Sequence, residues 1–212
     1  METLLADLPK NHSGTDTVKR AITACRSGVQ RAHLLTFQDP CALLKELFTL
    51  DGTGTMISAD NYDVIRRADI RDVNGIIELI RPLEENGTLV KRSREQLELE
   101  IPHFHVAERD GRVVACAALI PSNEATESAI AEVACVVTHP DYRNSGRAEK
   151  LLQHLEGSAK ATGIRTVFVF TTRSDHWFIE QGYVKGSTDV VPHHRLARVN
   201  PQRNSHILLK KI

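Results

Sequence analysis

No apolar run among the 212 residues approaches the roughly 20 that a membrane-spanning helix needs, so no span is expected. The first residues, METLLADLPKNHSGTDT, lack the basic start and apolar centre of a secretory leader. Charge of neither sign is in excess, because Lys plus Arg and Asp plus Glu both number 27. A nucleic-acid partner would leave a basic field, so none is expected. The four cysteines, Cys25, Cys41, Cys116 and Cys135, lie far apart and form no C-x-x-C pair. That spacing fits neither a disulfide scaffold nor a zinc site, and it reads as a reduced, cytoplasmic chain. Histidine is more plentiful, at 10, with His103 and His105 alternating and His193 beside His194. Neither pair has a third ligand at a recognisable spacing, so no metal is expected.

What is present is a succession of helix and strand patterns. Residues 1 to 16 are polar and broken by Pro9 and Gly14, which predicts a mobile tail. Residues 17 to 60 read as a helix ending at Gly28, the strand RAHLLTF, a helix opened by Pro40, and a glycine-rich turn into a second strand. This piece is too short to close a core and looks like the end of a larger domain.

Residues 61 to 212 form the main unit. The strand DVIRRA precedes a helix carrying Val73, Ile76, Ile77 and Ile80. A second helix has Ser93 and Gln96 in capping-box spacing. Asp110-Gly111 joins two strands in a two-residue hairpin, and AIAEVACVVTH follows as a third strand. Then come a long helix, the strand TVFVF, a helix capped by Ser174 and ended by Gly182, and the closing strand SHILLKK. The order β-α-α-β-β-β-α-β-α-β-β predicts an α/β fold, a mixed sheet with helices packed on it.

Two places in this unit suggest chemistry. The turn Arg143-Asn144-Ser145-Gly146-Arg147-Ala148 follows a central strand and opens the long helix. Backbone N–H groups at such a junction point outward and bind an anion. Just upstream, Glu132 sits in an otherwise apolar strand, which costs free energy unless the carboxylate is paired or used. Strict alternation puts Cys135 on the opposite face from Glu132.

Strand, Arg-x-x-Gly-x-Ala, helix, strand and then WFIEQGY resemble the GNAT superfamily of acetyl-CoA-dependent N-acetyltransferases. Longer blocks, IRPLEENGTLVKRSREQLE, EVACVVTHPDYRNSGRAEKLL and TTRSDHWFIEQGY, are similar to the transferase domain of the bacterial N-acetylglutamate synthases. RAHLL and LLKELFTLDGTGTMI are similar to the end of the amino-acid-kinase-like domain that precedes it there. The resemblance implies a mostly antiparallel GNAT sheet in residues 61 to 212 and a kinase-like remnant in 17 to 60. It implies direct transfer of acetyl from acetyl-CoA to the amine of L-glutamate, the first step of arginine biosynthesis.

Residue by residue, the resemblance implies that the amides near Gly146, Arg147 and Ala148, with Arg143 and Arg147, hold the coenzyme A pyrophosphate. The amides of Val136 and Val137 would hold the thioester carbonyl. Glu132 is the candidate base, directly or through a water, against the alternative of pairing with a neighbouring cation. A β-bulge would bring Cys135 into the substrate site beside it. Phe178 stands where many members carry an acidic tyrosine, so Thr171 is the candidate donor to the leaving sulfur, with solvent as the alternative. Leu89, Lys91, Arg203 and Ser205 match the segments that hold the amino acid, and Arg92 and Arg94 are further cations for its carboxylates, against the alternative of a solvated helix face. His33, Glu46, Gly52 and Gly54 match a region that contributes to an arginine site. A transferase for another amine, an inactive acetyl-CoA-binding remnant, and homo-oligomerisation all stay open.

Overall fold

The computed structural model describes residues 13–49, 52–59, 63–122, 129–197, 200 and 203–212. The chain divides into two compact units, residues 1–62 and 63–212. In the first unit, helix α1 (Ser13–Arg26) turns Thr15, Ala21, Ile22 and Cys25 inward, three to four residues apart or multiples of that. Strand β1 (Arg31–Leu34) pairs antiparallel with β2 (Thr55–Ser58), and helix α2 (Ala42–Phe48) lies between them in sequence. The Cys25 thiol donates to the Ile57 carbonyl at 3.4 Å, fixing α1 on β2. Helix α1 thus begins inside the stretch expected to be a mobile tail. The inward-facing Thr15 extends the buried stripe by a turn, which polarity alone did not reveal. Residues 1 to 12 of that expected tail lie outside the described residues.

The second unit runs β3 (Val64–Arg67), α3 (Val73–Glu85), α4 (Arg94–Glu100), β4 (Phe104–Arg109), β5 (Arg112–Pro121), β6 (Ile130–Thr138), α5 (Arg147–Ala161), β7 (Thr166–Thr171), α6 (Asp175–Glu180), β8 (Val184–Lys185), α7 (His193–Leu196) and β9 (His206–Lys211). Among the described residues, seven strands form its sheet in the order β3-β4-β5-β6-β7-β9-β8. All neighbours are antiparallel except β6 and β7. The expected order of elements holds, with α7 as an addition. Asp110 (φ 47°) and Gly111 (φ 78°) are both left-handed, as a two-residue hairpin turn between β4 and β5 requires.

Helices cover both faces of the sheet, so β5 is buried from Val113 to Leu119 without alternation. On one face Leu151, Leu152, Leu155 and Ala159 of α5 pack on Val114, Val133, Val167 and Leu208. On the other, Val73, Ile76 and Ile80 of α3, with Leu97 of α4, pack on Phe104, Val106, Cys116 and Ala118. Helix α4 opens on Ser93, whose side chain accepts from Gln96 N at 3.2 Å as its spacing predicted. Helix α6 differs: Ser174 stands at its N-cap but makes no capping bond with its side chain. Its backbone N–H is instead taken by Thr171 Oγ1 at 2.9 Å, because the residue ending β7 reaches across the turn first.

Candidate active site

Strands β6 and β7 are hydrogen-bonded only at their beginnings, Ile130–Glu132 against Thr166–Phe168. Beyond that they separate, and the reason lies in β6. Ala118 faces Ala134 and Cys116 faces Val137, so Cys135 and Val136 together oppose the single residue Ala117. This is a β-bulge, with Cys135 in the left-handed region at φ 51°. The extra residue bends β6 away from its parallel neighbour. A cleft of about 460 Å³ opens between the diverging ends, walled by residues 134–138 on one side and 169–174 on the other.

The bulge also resolves the alternation problem. Ala131 and Val133 pack on the α5 face, whereas Cys135 and Val137 pack on the α3 and α4 face. Cys135 therefore shares a face with Glu132, in place of the opposite face that strict alternation gives. Its thiol is buried, and desolvation pushes its pKa up to about 11. At neutral pH it stays protonated, which suits a wall residue and not a nucleophile.

At the mouth of the cleft, Gly146 (φ 72°) is the N-cap and α5 begins at Arg147, so that Arg147 and Ala148, the end of the turn read from the sequence, are already helical. A Cβ on Gly146 would meet nothing nearer than Glu149 Oε2 at 4.0 Å, so the space above the turn is open to an approaching anion. Arg143, Gly146, Arg147 and Ala148 all line the cleft. The Arg147 side chain, however, is turned into the protein. Its Nε lies 2.8 Å from Asp63 Oδ2, it donates to Ser145 Oγ, and its guanidinium stacks over Tyr142 at 5.2 Å. The charge that this arginine was expected to add for a ligand is thus directed at Asp63. Arg143 is exposed, with Nε on the Thr138 carbonyl at 3.3 Å.

Val136, Val137, Cys135, Thr171 and Leu89 also line the cleft. Thr171 accepts from Ser174 N and keeps its own O–H to donate. Glu132, Lys91, Arg203 and Ser205 are not cleft-lining residues. Lys91 is exposed. Arg203 Nη2 donates to the carbonyls of Thr88 (2.6 Å) and Gly87 (3.2 Å), so it fastens the chain before β9 to the segment leading into Leu89 and Lys91. Arg203 of one basic segment thus reaches the two residues just before the other, which begins at Leu89. Ser205 follows the left-handed Asn204 (φ 48°) and is half-buried.

One arginine beside these residues, Arg195, was not anticipated from the sequence, and a second, Arg92, had two roles open. Arg195, on α7, binds both oxygens of Glu132, with Nη2 to Oε1 at 2.7 Å. Pairing with a cation, one of the two roles open for Glu132 from sequence, is therefore present. Arg92, open from sequence between a substrate cation and a solvated face, has a side chain only 13% exposed and pairs with Glu100 at 3.1 Å. It lies within electrostatic reach of Cys135 and Glu132. Arg94, by contrast, is solvated and pairs with Glu98. A buried Glu132 signalled that a cation was needed; nothing in the pattern said which of 27 basic residues would come. Phe178 and Tyr183 are packing residues, stacked edge to face at 5.3 Å, and Trp177 donates to Glu149 at 3.1 Å.

Residues 73–181, about half of the chain, match the family model described as the acetyltransferase (GNAT) family. The chain belongs to the GNAT acetyltransferase family. Among curated relatives of this GNAT chain, the amino-acid acetyltransferase of Serratia proteamaculans (strain 568) is 53% identical over 199 residues, 93% of this chain and 44% of that protein. The chain thus spans about half the length of the curated relatives it matches. The crystal structure of N-acetylglutamate synthase from Neisseria gonorrhoeae complexed with coenzyme A and L-arginine is similar with a TM-score of 0.74 and 35% identity, over 100% of this chain and 47% of that one. A second structure of that protein, complexed with coenzyme A and N-acetyl-glutamate, gives 0.68 and 36%, over 99% of this chain and 49% of that one.

The first unit holds the other matched residues. Glu46 accepts from the backbone N–H of Thr53 (2.8 Å) and Gly54 (2.9 Å) and meets His33 Nδ1 at 2.5 Å. The His33 contact, then these amides, hold the Glu46 carboxyl below its usual range. A Cβ on Gly52 would lie 2.3 Å from Glu46 Oε2, so the glycine lets the turn close over the carboxylate. Among the described residues no group of three or more His, Cys, Asp or Glu is arranged to hold a metal, and no helix is long and apolar enough to cross a membrane.

Proposed function

We propose that the chain transfers acetyl from acetyl-CoA to the amine of L-glutamate, giving N-acetyl-L-glutamate and free coenzyme A. The observation that carries the reading is the splayed cleft. It presents the anion-binding turn before α5 and the bulged strand β6 to one opening, beside Leu89 and the segment fastened by Arg203. A pyrophosphate on the amides of Gly146 to Ala148 would direct the thioester inward, towards Val136, Val137 and Thr171. The curated relatives are named amino-acid acetyltransferases, and one relative of known structure was complexed with coenzyme A and N-acetyl-glutamate. The first supports an amino acid as acceptor, and the second a dicarboxylic one.

In this mechanism the ammonium of glutamate loses a proton to Glu132 through a bridging water. The amine nitrogen then bonds to the thioester carbon, and the carbonyl oxygen takes the developing charge against the amides of Val136 and Val137. On collapse the carbon–sulfur bond breaks, the nitrogen gives up its second proton to solvent, and the sulfur takes a proton from solvent, directly or relayed through the Thr171 hydroxyl. Lys91, Arg203 and Ser205, with Leu89, hold the two substrate carboxylates. We assign the reaction to the cytoplasm, where the four unpaired cysteines would persist.

Release of free thiol from acetyl-CoA, compared with glutamate, aspartate, glutamine and no amino acid, tests the reading. Release with glutamate alone is expected. Equal release with other amines would move the acceptor elsewhere, and acetyl-CoA binding without release would leave a cofactor-binding remnant.

A further inference from the structure

Buried in β6, the Glu132 carboxylate would be costly without a partner. Arg195 supplies one in the most directional form available. Nε donates to Oε2 and Nη2 to Oε1, so the fork takes both oxygens. That geometry fixes a carboxylate in orientation as well as in place. Each oxygen keeps a lone pair with which to accept from a water.

Arg195 is itself held from two directions. Helix α7 closes on Pro192, whose carbonyl accepts from Arg195 N at 2.9 Å. The guanidinium carbon lies 4.9 Å from the centroid of the Phe170 ring, close enough for cation–π attraction. Phe170 lines the cleft and immediately precedes Thr171. A continuous run of contacts therefore links the β7 wall, through Phe170 and Arg195, to Glu132, which shares a sheet face with Cys135 of the β6 wall.

We propose that Arg195 is a positioning residue for the transfer reaction, fixing the Glu132 carboxylate in the orientation from which a bridging water removes the substrate proton. This rests on the reading of Glu132 as the base. Arg195 touches no reacting atom and acts through Glu132 alone. A pair that served stability only would be indifferent to the state of the reaction.

The test compares kcat and KM in the thiol-release assay for the wild type, Arg195→Lys, Arg195→Met, Glu132→Gln and the double variant Arg195→Met/Glu132→Gln, with melting temperatures alongside. Arg195→Met is expected to lower kcat about tenfold or more, with KM for both substrates within about twofold of wild type. Arg195→Lys recovers part of the loss, since it keeps the charge and loses the fork. The double variant is no slower than Glu132→Gln. Wild-type kcat in Arg195→Met overturns the proposal, and so do losses that multiply in the double variant. A selective rise in KM for glutamate makes Arg195 a substrate ligand and also overturns it. If Arg195→Met melts below the assay temperature, Arg195→Lys carries the same expectation at smaller size: kcat down, KM unchanged, no further loss in the Glu132→Gln background. Failure of the base reading is seen separately, as wild-type kcat in Glu132→Gln, and it removes the inference with it.

Discussion

Gly146 holds φ 72°, where an added Cβ costs about 1–2 kcal/mol in backbone conformation. Gly146→Val places a branched side chain over the same amides that the mechanism assigns to the pyrophosphate. It is expected to raise KM for acetyl-CoA about tenfold or more and leave KM for glutamate near wild type. Equal change in both, or none, would take the pyrophosphate off this turn. Arg203 calls for the opposite pattern. Arg203→Ala removes a cation and two bonds to the carbonyls of Gly87 and Thr88, so KM for glutamate should rise at least tenfold with little change for acetyl-CoA. Glu132→Gln keeps shape and loses basicity. Its kcat should fall about 100-fold or more, with acetyl-CoA affinity by calorimetry unchanged.

Among the elements, what could be read from the sequence was whatever depended on local pattern. The hairpin at Asp110-Gly111, the cap at Ser93 and the turn before α5 each follow from two or three adjacent residues. The bulge at Cys135 was reached only through family resemblance, because AEVACVVT alternates no differently from a flat strand. Helix α7 was missed because four residues after a proline have no period to detect, and Arg195 was missed with it. Arg92 stayed open between two roles because the segment before a helix looks solvated until its neighbours are in place. The cation at Arg66 was equally invisible. It pairs with Asp72 at 2.7 Å, where the carboxylate is 7% exposed, and with Glu108 at 2.6 Å. This clamps β3 to β4 and to the start of α3. Arg66→Met strands a buried carboxylate, and denaturant melts should show a loss of about 3–5 kcal/mol. The Arg66 bonds hold the Asp72 carboxyl below its usual value of 3.8. The fold therefore favours the carboxylate, and this contribution is complete above about pH 4 and is lost as pH falls below it. Acid sensitivity in that range should be smaller in Arg66→Met.

At the scale of the whole molecule, His105 is expected to contribute an acid limit on stability. It lies between β4 and α5, edge-on to His154 at 5.2 Å, and desolvation lowers its pKa from 6.5 to about 4, with His154 and Arg67 adding to the effect. The folded chain keeps it neutral where the unfolded chain takes a proton. The contribution of His105 is therefore expected to be complete above about pH 6.5 and to decline by about 3 kcal/mol as pH falls towards 4. Thermal melts across that range should flatten in His105→Gln; an unchanged slope would mean that other groups take up the proton. The divergence of β6 from β7 has a larger consequence. Two strands that part after three paired residues leave main-chain donors and acceptors on the facing edges of residues 134–138 and 169–171. An extended ligand with amides along its length, such as the arm of coenzyme A, can bridge that gap as a temporary strand. Hydrogen–deuterium exchange should then slow at those edges when acetyl-CoA binds, so that the ligand repairs the sheet whose interruption admits it.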